Sequence, residues 1–136
     1  MALTLEDLQD LIAGERDPIV VGQIPFNIAS GLSLRNHNVY LSANSLRHVL
    51  EEHPDISLID LLHLPFAISK GMLARERAKP NIVVASYLDG ETGKRFISVI
   101  KIVQSGTEVW ISSFYRSKER QTKRILSRGE ILKTHD

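Results

Sequence analysis

The chain has no cysteine. Disulfides, thiolate metal sites and cysteine nucleophiles are therefore excluded, and the absence fits a cytoplasmic setting. No apolar run is long enough to span a bilayer. The first residues, "MALTLEDLQD", are acidic and amphipathic, unlike a signal peptide. The expectation is a cytoplasmic protein with no membrane partner. Net charge is almost absent as well: the formal value is +1, so bulk electrostatics name no partner. A glycine-rich phosphate loop is also missing. "SKG" and "LDGETGK" lack the required spacing, and the second reads better as a hairpin turn. There is no internal repeat, low-complexity tract or obvious linker.

What remains is ordinary globular composition, 43% hydrophobic and 24% charged, over 136 residues. That length suits one domain with its own core. Charge is unevenly placed. The N-terminal "LEDLQD" is acidic, whereas "RSKERQTKRILSR", from Arg116 to Arg128, holds six basic residues and one acidic. Such a run is either an oriented electrostatic surface or a solvated helix face.

The pattern along the chain predicts helices first. Thr4 caps "TLEDLQDLIAG", with Asp7 three residues on, Leu5, Leu8, Leu11 and Ile12 as its stripe, and Gly14 as its stop. "PIVVGQIP" reads as a strand, "FNIASGLSLRNHN" is weakly patterned, and "VYLS" is a brief strand. Ser42 or Asn44 caps a helix to about His53, buried through Leu46, Val49 and Leu50 and ended by Pro54. "SLIDLLHL" and "PFAISKG" follow as short helices. Then the period changes. "NIVVASYL", "KRFISVIKIV" and "TEVWISSFYR", joined by "DGETG" and "QSG", predict an antiparallel meander of three strands. The tail is helical by propensity, with Ile125 and Leu126 its apolar anchors. The expected fold is α+β: an N-terminal helix over 1–17, a core over 18–116 and a basic helix or tail over 117–136.

Five histidines are present. His48 and His53 lie five apart, about 140° around a helix. That spacing, without a following glutamate, argues against a helical zinc pair, and no metal or cofactor is expected. Histidine suits proton transfer near neutral pH, so both are acid–base candidates. The structural alternatives are a boundary residue for His48 and a C-terminal cap for His53. His63 reads as structural, His37 lies in a polar turn, and His135 is near the end. On the strands, Lys101 shares a face with Ile97, Val99 and Val103. Strict alternation puts Ser113 and Tyr115 with Val109 and Ile111, opposite Trp110, Ser112, Phe114 and Arg116. Whether Lys101 joins the hydroxyls depends on the register set by "QSG". A histidine, cations and hydroxyls without metal or thiol are what metal-independent RNA cleavage requires. A base takes the 2′-hydroxyl proton, an acid protonates the leaving 5′-oxygen, and cations stabilise the phosphorane-like charge.

"PIVVGQIP", "VYLSANSLRHVLEEHPDI", the short helices ending at "LPFAIS", "RFISVIKIV" and "VWISSFYR" stand in an order that resembles the phage-type branch of the barnase–EndoU–colicin–RelE-like nucleases. The resembling pieces span most of the chain after residue 18. The most specific features are the helix histidine before "HP" and the strand ending in Ser/Thr-x-aromatic. The resemblance implies an endoribonuclease, a hydrolase-type toxin domain of phage or mobile-element origin, with its site on one face of the sheet. Its substrate would be tRNA or mRNA, and a cognate immunity protein would be a partner. It also implies His48 as the leading acid–base group, with His53 the alternative, Ser113 and Tyr115 as strand-borne polar groups, and Lys101 and Arg116 as cations. Lys118, Arg120, Lys123 and Arg124 would hold the RNA backbone. The rival readings are a non-catalytic RNA- or protein-binding module on this fold and a structural phage-associated protein. The chain is either free-standing or part of something larger.

Overall fold

Thr4 opens the first helix as its sequence predicts. Its hydroxyl accepts from the Asp7 backbone, and the Asp7 carboxylate accepts in return from the Thr4 N–H. The computed structural model describes residues 3–134, so His135 lies outside the described residues. Helix α1 (Leu5–Ala13) ends on Gly14, which is left-handed. Then follow β1 (Ile19–Gln23), α2 (Phe26–Gly31), β2 (Asn38–Leu41), α3 (Ala43–Glu52), α4 (Leu58–Leu61) and α5 (Leu64–Lys70). The second half holds β3 (Met72–Glu76), β4 (Ile82–Leu88), β5 (Arg95–Val103), β6 (Glu108–Arg116), α6 (Glu119–Ser127) and β7 (Gly129–Lys133). No helix among the described residues is long and apolar enough to cross a membrane.

The predicted three-strand meander is the centre of a larger sheet, ordered β1-β2-β6-β5-β4-β3-β7. All neighbours are antiparallel except β2 and β6, which run parallel and meet at Tyr40 and Trp110. One face carries the main core. Leu8 and Leu11 of α1, Leu46 and Val49 of α3, Leu61 of α4, and Leu64 and Ile68 of α5 pack with Phe96, Ile100, Ile111 and Phe114 of the sheet. The Phe96 and Phe114 rings stack across β5 and β6 with centroids 5.1 Å apart. The other face is only partly covered, by α6. That helix turns Thr122, Ile125 and Leu126 inward and leaves its cations in solvent.

Two contacts tie the helical half to the meander. Asp60 of α4 is 3% exposed and takes a 3.0 Å hydrogen bond from the Lys94 ammonium at the β4–β5 turn. Burial alone would raise its pKa. The Ser57 backbone N–H and the Lys94 charge outweigh that and hold the carboxyl below its usual value. In the β5–β6 turn, Gly106 has φ +88°, and its carbonyl accepts from the backbone N–H groups of Arg35 and Asn36. A Cβ there would lie 2.9 Å from the Ser33 carbonyl oxygen.

Gly106→Ala therefore combines a disfavoured backbone with a clash, and should cost about 1–3 kcal/mol in urea unfolding. Gly14→Ala, equally left-handed but with open space around it, should cost less. A second expectation concerns Asp60. A carboxyl with a depressed folded pKa adds stability above its unfolded value of about 3.9, and this is lost as pH falls through the folded value. Asp60→Asn should lower stability at neutral pH by about 1–3 kcal/mol. It should also flatten the loss of stability below about pH 4, read from urea midpoints across that range.

Candidate active site

Strand β6 does not follow strict alternation. Val99 pairs with Ser113, whereas Ile100 pairs with Ile111, so Ser112 is an extra, unpaired residue. This β-bulge reverses the side-chain order beyond it. It corrects the expectation that Ser113 and Tyr115 lie with Val109 and Ile111, and that Trp110 lies opposite them. The reason is burial. Ile111 and Phe114 are three apart, yet both are inside, at 1% and 0% exposure; a period of two cannot bury both without an inserted residue.

The open face is thereby set. Ile97 pairs with Tyr115, Val99 with Ser113, and Lys101 with Trp110. These are successive rows on one side of the sheet, so Lys101, Ser113 and Tyr115 share a face. The "QSG" turn makes this possible as a four-residue connection between Val103 and Glu108. Tyr115 to Lys101 covers two rows, about 13–14 Å along the strands. Trp110 adds an aromatic beside Lys101, and its indole N–H donates to the Glu108 carboxylate at 2.9 Å. Tyr40 of β2 extends this row, with ring centroids 5.6 Å from Trp110.

The structure separates the two histidines of α3. Ser42 caps the helix through the Ser45 N–H, and Asp17 accepts from the Ala43 N–H. His48 points outward; its side chain is 67% exposed and its Nε2 lies 3.3 Å from Glu52. His53 is the C-terminal cap, and its ring stacks on Tyr115, with centroids 5.4 Å apart and planes 28° from parallel. This approach is open because β2 meets β6 only as far as Trp110. Beyond that point, the end of α3 reaches the β6 edge. Burial pushes the Tyr115 phenol above its ordinary pKa, so it stays protonated well beyond neutral pH.

The remaining predicted residues divide. Arg116 pairs with Phe96, whose ring is in the main core, and so lies on the side away from Tyr115. Lys118, Arg120, Lys123 and Arg124 are exposed on or beside α6, with Lys123 held 3.4 Å from Glu119. A cation on the tyrosine's cavity was not among those residues. Arg128, last in the basic run, lines a cavity of about 200 Å³ with Tyr115 and Glu76. Trp110 and Tyr40 were also missed, the first because of the bulge and the second because β2 pairs far along the chain. His63 packs between Tyr87 and Phe96, 3.8 Å from Asp89, and His37 lies against Phe26. Among the described residues, no group of three or more His, Asp or Glu could hold a metal ion.

Comparison with protein-family models, curated proteins and solved structures finds no match to this chain.

The stack has a direct spectroscopic consequence. Ring-current shifts of the His53 imidazole protons should vanish in Tyr115→Ala, while those of His48 stay as in wild type. Equal behaviour of the two histidines in proton NMR would contradict the stacking.

Proposed function

We propose that this protein is a metal-independent endoribonuclease acting through the open face of β5 and β6. The observation that carries the reading is His53 stacked on Tyr115, on a face that also bears Ser113 and Lys101. His53 in its neutral form takes the 2′-hydroxyl proton as that oxygen bonds to phosphorus. The P–O5′ bond breaks, and the Tyr115 phenol, kept protonated by its burial, supplies a proton to the departing oxygen. The products are a 2′,3′-cyclic phosphate and a 5′-hydroxyl end. Arg128, which lines the cavity beside Tyr115, neutralises the phosphorane-like charge, and Lys101, two rows along the same face, meets a neighbouring phosphate of the strand. The exposed cations of α6 hold the strand's phosphates. The chain's resemblance to barnase–EndoU–colicin–RelE-like nucleases supports the same chemistry, with His53 in place of His48 as its proton carrier.

A second reading is favoured by the Tyr40–Trp110 pair: a non-catalytic RNA platform. Adjacent aromatics beside a lysine suit unpaired bases, which stack on rings whatever their sequence.

The test is cleavage of RNA in EDTA with the product ends mapped. Wild type should give 2′,3′-cyclic phosphates. His53→Ala should lose about a hundredfold or more in rate, Tyr115→Phe should also be impaired, and His48→Ala should remain active. Loss in His48→Ala with retention in His53→Ala would sink the assignment. Binding that weakens with salt and in Trp110→Ala, without cleavage, would establish the platform in its place.

A further inference from the structure

A second cleft, of about 490 Å³, opens beneath the other stripe of α6. Its α6 wall is Glu119, Thr122, Lys123 and Leu126, whereas the Tyr115 cavity takes Ile125 and Arg128. Of its lining only Lys123 has a part in the proposed RNA binding, and none of it takes part in the bond-breaking step. Its walls combine two chemistries. Met72, Leu88 and Leu126 form an apolar side, and Leu88, the last residue of β4, is 50% exposed there. Lys70, Arg95 and Lys123 bring three cations to the lining. Lys123 is engaged by Glu119 at 3.4 Å, but Lys70 and Arg95 have no acidic partner among the described residues.

The lining supplies the deciding observation. Ser86 lines the cleft at 7% exposure, and its hydroxyl makes no hydrogen bond among the described residues; unlike the fully buried, unpartnered Ser98 hydroxyl, it opens to the cleft. Thr122, by contrast, is satisfied by Ser117. A hydroxyl that opens only into a cleft is completed by water or by a ligand atom placed there. An alkyl chain would leave it unsatisfied. A flat heteroaromatic ring offers both an apolar face for Met72 and Leu88 and an edge atom for Ser86. A phosphate monoester, carrying about −1.5 to −2 charges at neutral pH, matches the two cations without an acidic partner, of which Lys70 otherwise rests its ammonium over the Phe66 ring at 5.8 Å. The volume lies within the range of small-molecule sites.

The geometry points to a nucleotide site: a nucleoside monophosphate unit whose base lies against Met72, Leu88 and Leu126 with its edge at Ser86, and whose phosphate meets Lys70 and Arg95. The unit is either a free nucleotide or the 5′-phosphorylated end of a strand. This site is separate from the His53–Tyr115 pair, and each stands or falls alone.

The test uses the full chain and AMP, adenosine, inorganic phosphate and a short RNA with or without its 5′-phosphate. Isothermal titration reads affinity, and the Met72 methyl resonance reports location, because Met1 is the sole other methionine. AMP should bind at least about tenfold more tightly than adenosine or phosphate and shift the Met72 methyl. Arg95→Gln and Lys70→Gln should each weaken AMP about tenfold and leave adenosine unchanged. Ser86→Ala should weaken both AMP and adenosine, while His53→Ala should change neither. Preference for 5′-phosphorylated over 5′-hydroxyl RNA, with competition by AMP, supports the strand end. Binding of AMP alone supports the free nucleotide. AMP binding that survives both cation substitutions, leaves Met72 unmoved, or is absent at millimolar ligand with natively folded protein would overturn the site. RNA cleavage that persists in Arg95→Gln would show that failure here is not failure of the nuclease.

Discussion

The bulge at Ser112 is the constraint on which the open face depends. It exists because two large side chains three residues apart, Ile111 and Phe114, both belong in the core. Absorbing one extra residue between them sends Ser113 and Tyr115 to the opposite side from the core. A β6 strand without it would carry the tyrosine toward the helices and leave His53 nothing to stack on. Core packing thus aims the polar groups of the site. The bulge falls on a Ser-Ser pair, where the inserted residue can stay exposed without burying a polar group.

The two faces of the sheet have different tasks. The helix-covered face holds the large apolar side chains of both halves of the chain. The other is roofed only where α6 crosses it. That helix is short and charged, and Thr122, Ile125 and Leu126 are its inward residues. Its position is reinforced by β7, which follows Arg128 directly and pairs with β3. Clefts remain on two stripes of the helix, one reaching Tyr115 and the other Ser86. Basic residues read from the sequence as one run are therefore divided by the helix among different surroundings.

Much of the fold was legible from local patterns. The Thr4 capping box, the Ser42 cap, the stop at Pro54 and the three central strands are set by residues within a few positions of each other. The α+β class followed from them. β3 and β7 were not legible. "MLARE" and "GEILK" are short and carry charges; the first is a strand because β4 and β7 pair on its two edges, and the second because β3 pairs with it. In the site, the residue types were readable but their directions were not. Alternation put Ser113 on the wrong face because a bulge is a response to the core, which no single strand displays. The choice between His48 and His53 depended on where α3 ends against β6, a contact between segments far apart in sequence.

The meeting of β2 with β6 has a consequence for how the chain reaches this structure. Tyr40 and Trp110 are neighbours in space but about 70 residues apart in sequence. The β4–β5–β6 hairpins close over short turns and can form early. The β2 contact requires a long loop to close, and distant pairings of this kind slow folding. The aromatic row is complete only when β2 has docked on β6, and on loop-closure grounds that docking is expected after the meander. A partly folded chain would hold Trp110 on a strand edge with no neighbour, which is a sticky surface in a crowded solution. The final docking step builds the last piece of the open face and covers that edge in the same movement.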